Sequence, residues 1–152
     1  MGDLYQPPVM NTVTNVTTST LAPTVANSGT LYVLDRAAGI AVTLPSIDSG
    51  EIGTKFRFLL KTTVTSNSTT IKVPSASETM LGNAVVQSDS SNAALAYKAS
   101  GTSDTITLNG TTTGGIAGDV IEVVAVSTTL WMVDAVTSAT GTEATPFSAT
   151  VS

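Results

Sequence analysis

Cysteine and histidine are both absent from these 152 residues, and together the two absences remove most familiar active-site chemistry. Without cysteine there is neither a disulfide framework nor a thiolate metal site, and nothing marks a redox compartment. Without histidine the commonest general base and nitrogen ligand are gone, and with them the usual serine-hydrolase and cysteine-protease arrangements. Charge is scarce as well, at 11% of the chain against about 25% in ordinary globular domains. Six Lys and Arg against eleven Asp and Glu leave a net charge of −5, and the pI lies near 4.3. The basic footprint of a nucleic-acid binder is therefore missing. One Trp, three Tyr and three Phe offer few faces on which a sugar could stack. No apolar run approaches the length of a membrane span, and Met1 to Pro8 lacks the basic and apolar regions of a signal peptide. The expectation is a protein made in the cytoplasm that contacts neither membrane nor nucleic acid.

The carboxylates that remain (Asp35, Asp48, Glu51, Glu78, Asp89, Asp104, Asp119, Glu122, Asp134 and Glu143 among them) are scattered, mainly through turns, where Asp bonds its own backbone. Asp48 with Glu51, and the run Ser88 to Asn92, come nearest to a calcium loop, yet neither has the ordered oxygen-ligand spacing of one. Gly114, Gly115 and Gly118 lack the lysine and following helix of a phosphate-binding loop. Asn-X-Thr triplets such as Asn67-Ser68-Thr69 are what chance produces in so Thr-rich a chain. No enzyme activity, cofactor or metal is expected.

What the chain does have is alternation. About 30% of it is Ser or Thr, residues that bond water readily and still favour pleated structure. Thr30 to Pro45 reads as a β-hairpin, with Leu31 and Val33, then Ile40, Val42 and Leu44, on the core face, and Pro45 closing it. Phe56, Phe58 and Leu60 share a face in the strand 54–61, with Lys55, Arg57 and Lys61 on the opposite, solvated or ion-paired side. Ile71 and Val73 point inward ahead of Pro74. In Gly118 to Val136 a second hairpin carries Ile121 and Val123, turns at Ser127-Thr128-Thr129, and returns through Trp131 and Val133. Both faces of its first strand are apolar except at Glu122, so it should be covered on both sides, by a second sheet and by a partner or loop.

These strands predict an all-β fold, a single β-sandwich or barrel of jelly-roll or Greek-key type with six to eight short strands. Three zones follow: an extended N-terminal arm over 1–28, a β domain over 29–136 and a Ser/Thr/Ala-rich tail over 137–152. The arm is more apolar than a solvated tail, and Leu4, Tyr5, Pro7, Pro8, Val9, Met10 and Leu21 are its candidate contacts to another subunit or surface. Between Ser75 and Ser103 edge strands, loops or a short helix near 92–98 remain equally compatible with the pattern.

Residues 30 to 135 resemble the β-rich accessory proteins of tailed-bacteriophage virions, the head decoration (cement) proteins and short head or tail fibres. The matching residues are Leu34-Asp35-Arg36-Ala37-Ala38-Gly39-Ile40 leading into Val42-Thr43-Leu44-Pro45, then Gly53 to Phe58, then Thr65-Ser66-Asn67-Ser68 before Ile71, and finally Gly118-Asp119 with Ile121, Trp131 and Val133. The arm, the stretch 75–103 and the tail have no counterpart. The resemblance implies a non-enzymatic homotrimer on the capsid surface of a virion, bound to the major capsid protein and tying capsomers together. A fibre or adhesin module that binds a host-surface glycan is the alternative.

Overall fold

The structure is a computed structural model that describes residues 12–152. The arm residues Leu4, Tyr5, Pro7, Pro8, Val9 and Met10 lie outside the described residues. Along the described chain run β1 (Val13–Val16), β2 (Thr20–Leu21), β3 (Leu31–Leu34), β4 (Ala41–Thr43), β5 (Lys55–Leu60) and β6 (Thr69–Lys72). They are followed by β7 (Thr79–Ser88), β8 (Ala94–Lys98), β9 (Thr105–Leu108), β10 (Val120–Ala125), β11 (Leu130–Ala139) and β12 (Phe147–Ser148). Two sheets pack face to face as an all-β sandwich: a seven-stranded one in the order β1-β3-β5-β10-β11-β7-β8, and a five-stranded one in the order β12-β9-β6-β4-β2.

The connections are of two kinds. β1, β3 and β5 are parallel neighbours in the large sheet, and β2, β4 and β6 are parallel neighbours in the small one. The chain therefore winds from sheet to sheet in three turns of a coil, although no repeated period in the sequence announces it. Thr30 to Pro45 is a crossing between the sheets and not a hairpin, because β3 and β4 never pair. At that crossing Gly39 has φ +72°, and a Cβ there would meet the carbonyl oxygens of Asn67 and Ser68 at 2.5 and 2.6 Å. Only glycine lets the β3–β4 loop lie this close to the β5–β6 loop. The second half is antiparallel where it is local: β10 and β11 form the expected hairpin, with Val123 opposite Val133 and Ala125 opposite Trp131.

The crossing also corrects the core. Leu31 and Val33 are half-buried on the outer face of the large sheet, and Tyr32 and Leu34 point inward in their place. In a stretch as apolar as Leu31-Tyr32-Val33-Leu34, alternation alone cannot choose the phase. Register chooses it: Tyr32 pairs with Phe58 and Leu34 with Leu60, both inward residues of β5. The Tyr32 ring stacks on Phe58 at 5.8 Å and lies 6.1 Å from Phe56, which in turn stacks on Trp131 at 6.3 Å. Such pairs add about 0.5–1.5 kcal/mol each beyond their buried area. Around this aromatic cluster Ile40, Val42, Leu44, Phe56, Phe58, Leu60, Ile71, Ile121, Val123, Trp131 and Val133 are all buried as expected.

The stretches without an assignment are structured as well. β7 runs ten residues and pairs along its whole length with β11, in parallel, and β8 forms the edge beside it. At the far end β12 pairs with β9, and the buried Asp104 carboxylate accepts the amides of Thr150 (2.8 Å) and Val151 (3.3 Å). The last residues are thereby pinned to the small sheet. Within 12–28, β1 and β2 belong to the two sheets, and Leu21 packs half-buried against the core of its own chain.

Candidate interaction surface

One face of the seven-stranded sheet covers the core, and no described element packs on the other. Across the middle of the sheet the residues facing outward form three rows that cross the strands, because the registers of neighbouring strands align them. The upper row is apolar: Val33, Leu59, Val120, Val136, Val85 and Ala96 are successive partners from β3 to β8. The middle row is polar and charged, running Arg57, Glu122, Asp134, Asn83 and Lys98. The lower row is apolar again beyond Lys55, with Val124, Met132 and Leu81.

Several of these side chains are unusually open for their size. Val136 is 46% exposed, Leu81 47%, and Val126 and Met132 beside it are comparably open. Leu81, Val126 and Met132 meet in one apolar patch, while Val136 lies beyond the polar middle row; a contiguous apolar patch marks an interaction site more often than isolated exposed residues do. Across the middle row Arg57 meets Glu122 at 3.6 Å, with both side chains well solvated, so the pair adds at most about 1 kcal/mol. Its role is orientation: charges of fixed sign run between two apolar bands. Lys61, expected to be solvated or ion-paired, bonds Asp35 at 2.8 Å. The Asp35 carboxylate also accepts from Thr62 (2.6 Å) and Asn15 (3.3 Å) and so laces β1, the end of β3 and the end of β5 together. The Lys61 hydrogen bond, then that of Thr62, holds its pKa down to about 2.

Several other carboxylates are occupied by structure. Glu51 accepts the Asp48 amide at 2.9 Å and closes a 3-10 turn at Ser49–Glu51. Asp119 is buried and accepts the amides of Gly115 (2.8 Å) and Ile116 (3.0 Å); burial nonetheless pushes its carboxyl up. Glu78 is buried beside Ser75, whose hydroxyl donates to it at 3.2 Å, and burial raises this group too. Asn109 takes the amides of Thr111, Thr112 and Thr113 on its own side-chain oxygen, so the Gly-rich loop after β9 is filled from within. Among the described residues no group of three or more Asp and Glu converges as a metal site would require.

Of the arm contacts proposed from sequence, only Leu21 falls among the described residues, and it sits on the core. The open residues of β7 and β11 were not singled out beforehand. The signal for those of β11 was nevertheless present in the doubly apolar alternation of 118–136, whose second face proves to be this outer surface. The chain matches no known protein family, no characterised protein and no solved structure.

Proposed function

We propose that this chain is a non-enzymatic structural protein of a tailed-phage virion, a decoration (cement) protein that binds the outside of the head as a homotrimer and strengthens contacts between capsomers. The observation that carries the reading is the upper apolar row, Val33 through Ala96, a half-buried to open band across the large sheet on which no described element packs. Its counterpart in this reading is the major capsid protein. A protein surface suits it better than a host glycan, because Trp131 and Tyr32 are buried and stacking faces are scarce among the described residues.

Size explains why a trimer helps. Six strand spacings of about 4.8 Å by strands about 20 Å long make a face of roughly 600 Å². That falls short of the ~800 Å² per partner of a stable interface. A single subunit would therefore attach weakly, and three linked subunits multiply the attachment by effective concentration without new contacts. Cementing then consists of extra buried area spanning capsomer boundaries, which internal pressure must break before the shell opens.

The test is rebinding to heads stripped of the protein. Val136→Asp places a charge in the middle of the upper row at an exposed site, so folding is retained while per-subunit affinity falls about tenfold or more, ~1.4 kcal/mol. The heat resistance that the protein lends to heads falls with it. Rebinding of Val136→Asp at the native level would sink the assignment of this row. Binding of the unaltered protein to cells or glycans, with none to heads, would favour the fibre or adhesin reading, and a stable monomer by light scattering at micromolar concentration would remove the trimer.

A further inference from the structure

The sheets do not end alike. The small one stops at β12 and β2, two residues each, and the large one at the four-residue β1 and the five-residue β8. An open row of amides and carbonyls recruits another strand, so edges are ordinarily blunted by shortness, proline, a bulge or an inward-pointing charge. β8 carries none of these. Its register with β7 runs unbroken from Ala94 to Lys98, and its one charge, Lys98, stands at its end on the outer face. Among the described residues no strand pairs with its far side.

The ladder fixes which groups are open. Ser88 donates its amide to the Ala93 carbonyl, and Ala99 donates to that of Gly82, both at 3.0 Å. Alternate residues of an antiparallel strand bond the same neighbour, so Ala93, Leu95, Tyr97 and Ala99 face β7, and the amides and carbonyls of Ala94, Ala96 and Lys98 point away from the sheet. These positions are symmetric about Ala96. Laid antiparallel on a second β8 with Ala96 opposite Ala96, the strand satisfies every outward amide and carbonyl of both copies. Leu95, 49% exposed, then lies opposite Tyr97 of the second copy, on the face shared with Ala84 and Val86, and each shields the other. Charge agrees with this register. Lys98 comes opposite Ala94 of the second copy, at an acidic end of the strand: Glu143 lines a depression together with Ala94 and Leu95, and Asp89 sits in the bend between β7 and β8. The two lysines stand about 14 Å apart, and among the described residues neither Lys98 nor Glu143 has an ion-pair partner of its own.

We propose that β8 is a self-recognition edge, which pairs antiparallel with β8 of a second copy across a two-fold axis at Ala96 and joins the two large sheets into one. A five-residue seam is small beside a stable interface, so the association is weak and depends on concentration. It uses the edge of the sheet and not its face. It therefore stands whether or not the upper row binds a capsid, and a copy held in a trimer by other surfaces still presents it.

The absence of cysteine makes the test clean. Hydrogen-bonded antiparallel partners have Cα atoms about 5.5 Å apart, within reach of a disulfide. Ala96→Cys, oxidised in the full chain with copper phenanthroline, should give a reductant-sensitive dimer whose yield rises with protein concentration. Ala94→Cys alone should give none, because its two copies lie about 14 Å apart along the seam, yet in a mixture it should link to Lys98→Cys. Proline is tolerated on an edge strand where its missing N–H faces outward. Adding Ala96→Pro to both partners of that mixture should abolish the link while the melting transition followed by Trp131 is kept. The proposal is overturned if Ala96→Cys yields no dimer, if Ala94→Cys alone links as readily, or if the mixed link survives the proline. Should Ala96→Pro unfold the chain, the cysteine variants decide without it.

Discussion

Leu31 and Leu34 allow the same substitution to be made on the two faces of one strand. Leu34 is 1% exposed and packs among Tyr32, Leu60 and their neighbours, whereas Leu31 is half-buried on the outer face. Truncating a fully buried leucine to alanine costs about 2–5 kcal/mol, the spread reflecting how far the cavity collapses. For Leu31→Ala only part of the side chain leaves a covered site, and at ~25 cal/mol per Å2 the loss is about 1 kcal/mol or less. In a domain of this length each kcal/mol shifts the melting temperature by about 2–4 °C. Leu34→Ala should therefore melt about 4–20 °C below the native protein, and Leu31→Ala no more than about 4 °C below it. The fluorescence of Trp131, the single tryptophan and fully buried, follows unfolding without a label. Equal losses, or a larger one for Leu31→Ala, would refute the face assignment and with it the crossing of the chain between the sheets.

Two further outcomes follow from the packing and the charges. Gly82→Ala sets a Cβ 1.9 Å from the Val133 carbonyl oxygen at φ +142°, so β7 must move away from β11 at a cost of about 1–3 kcal/mol; a melting temperature within about 1 °C of native would show that the two strands are not so closely apposed. Asp35 has a pKa lowered to about 2 from 3.8, so its contribution is present above pH 3.8 and is lost as pH falls towards 2. Melting curves between pH 2 and 5 should therefore show Asp35→Asn less stable than native at pH 5 and converging with it towards pH 2. A gap that stays constant over that interval would count against the Lys61–Thr62–Asn15 set as its cause.

The all-β class and the inward residues of β5, β6, β10 and β11 could be read directly: Lys55, Arg57 and Lys72 mark the outward phase in β5 and β6, and Glu122 and Asp134 mark it in the otherwise doubly apolar β10 and β11. β3 could not, since all four of its residues are apolar and the phase comes from a partner 26 residues further on. β8 has the composition of a helix, Ala-Leu-Ala-Tyr-Lys, and is extended only because β7 offers it a ladder. β7 contains Gly82 and Asn83, poor strand formers, yet is held on both sides by β11 and β8. The outer surface was legible only as an excess: more apolar residues in 118–136 than one core face can use. Their partners on β7 were hidden by the same weak pattern that left 75–103 open.

The coil of β1 to β6 has a kinetic consequence. A hairpin such as β10–β11 closes within a short loop, but β1 meets β3 only after the chain has visited the other sheet and come back, and β3 meets β5 in the same way. Neither sheet of this half can be completed ahead of its mate, so both must consolidate in one late, cooperative step. Chains dominated by such distant pairings fold in milliseconds to seconds, orders of magnitude more slowly than those with local contacts. When the complete chain refolds, the β10–β11 hairpin is then the natural early nucleus, and the winding half the part of the molecule that consolidates last.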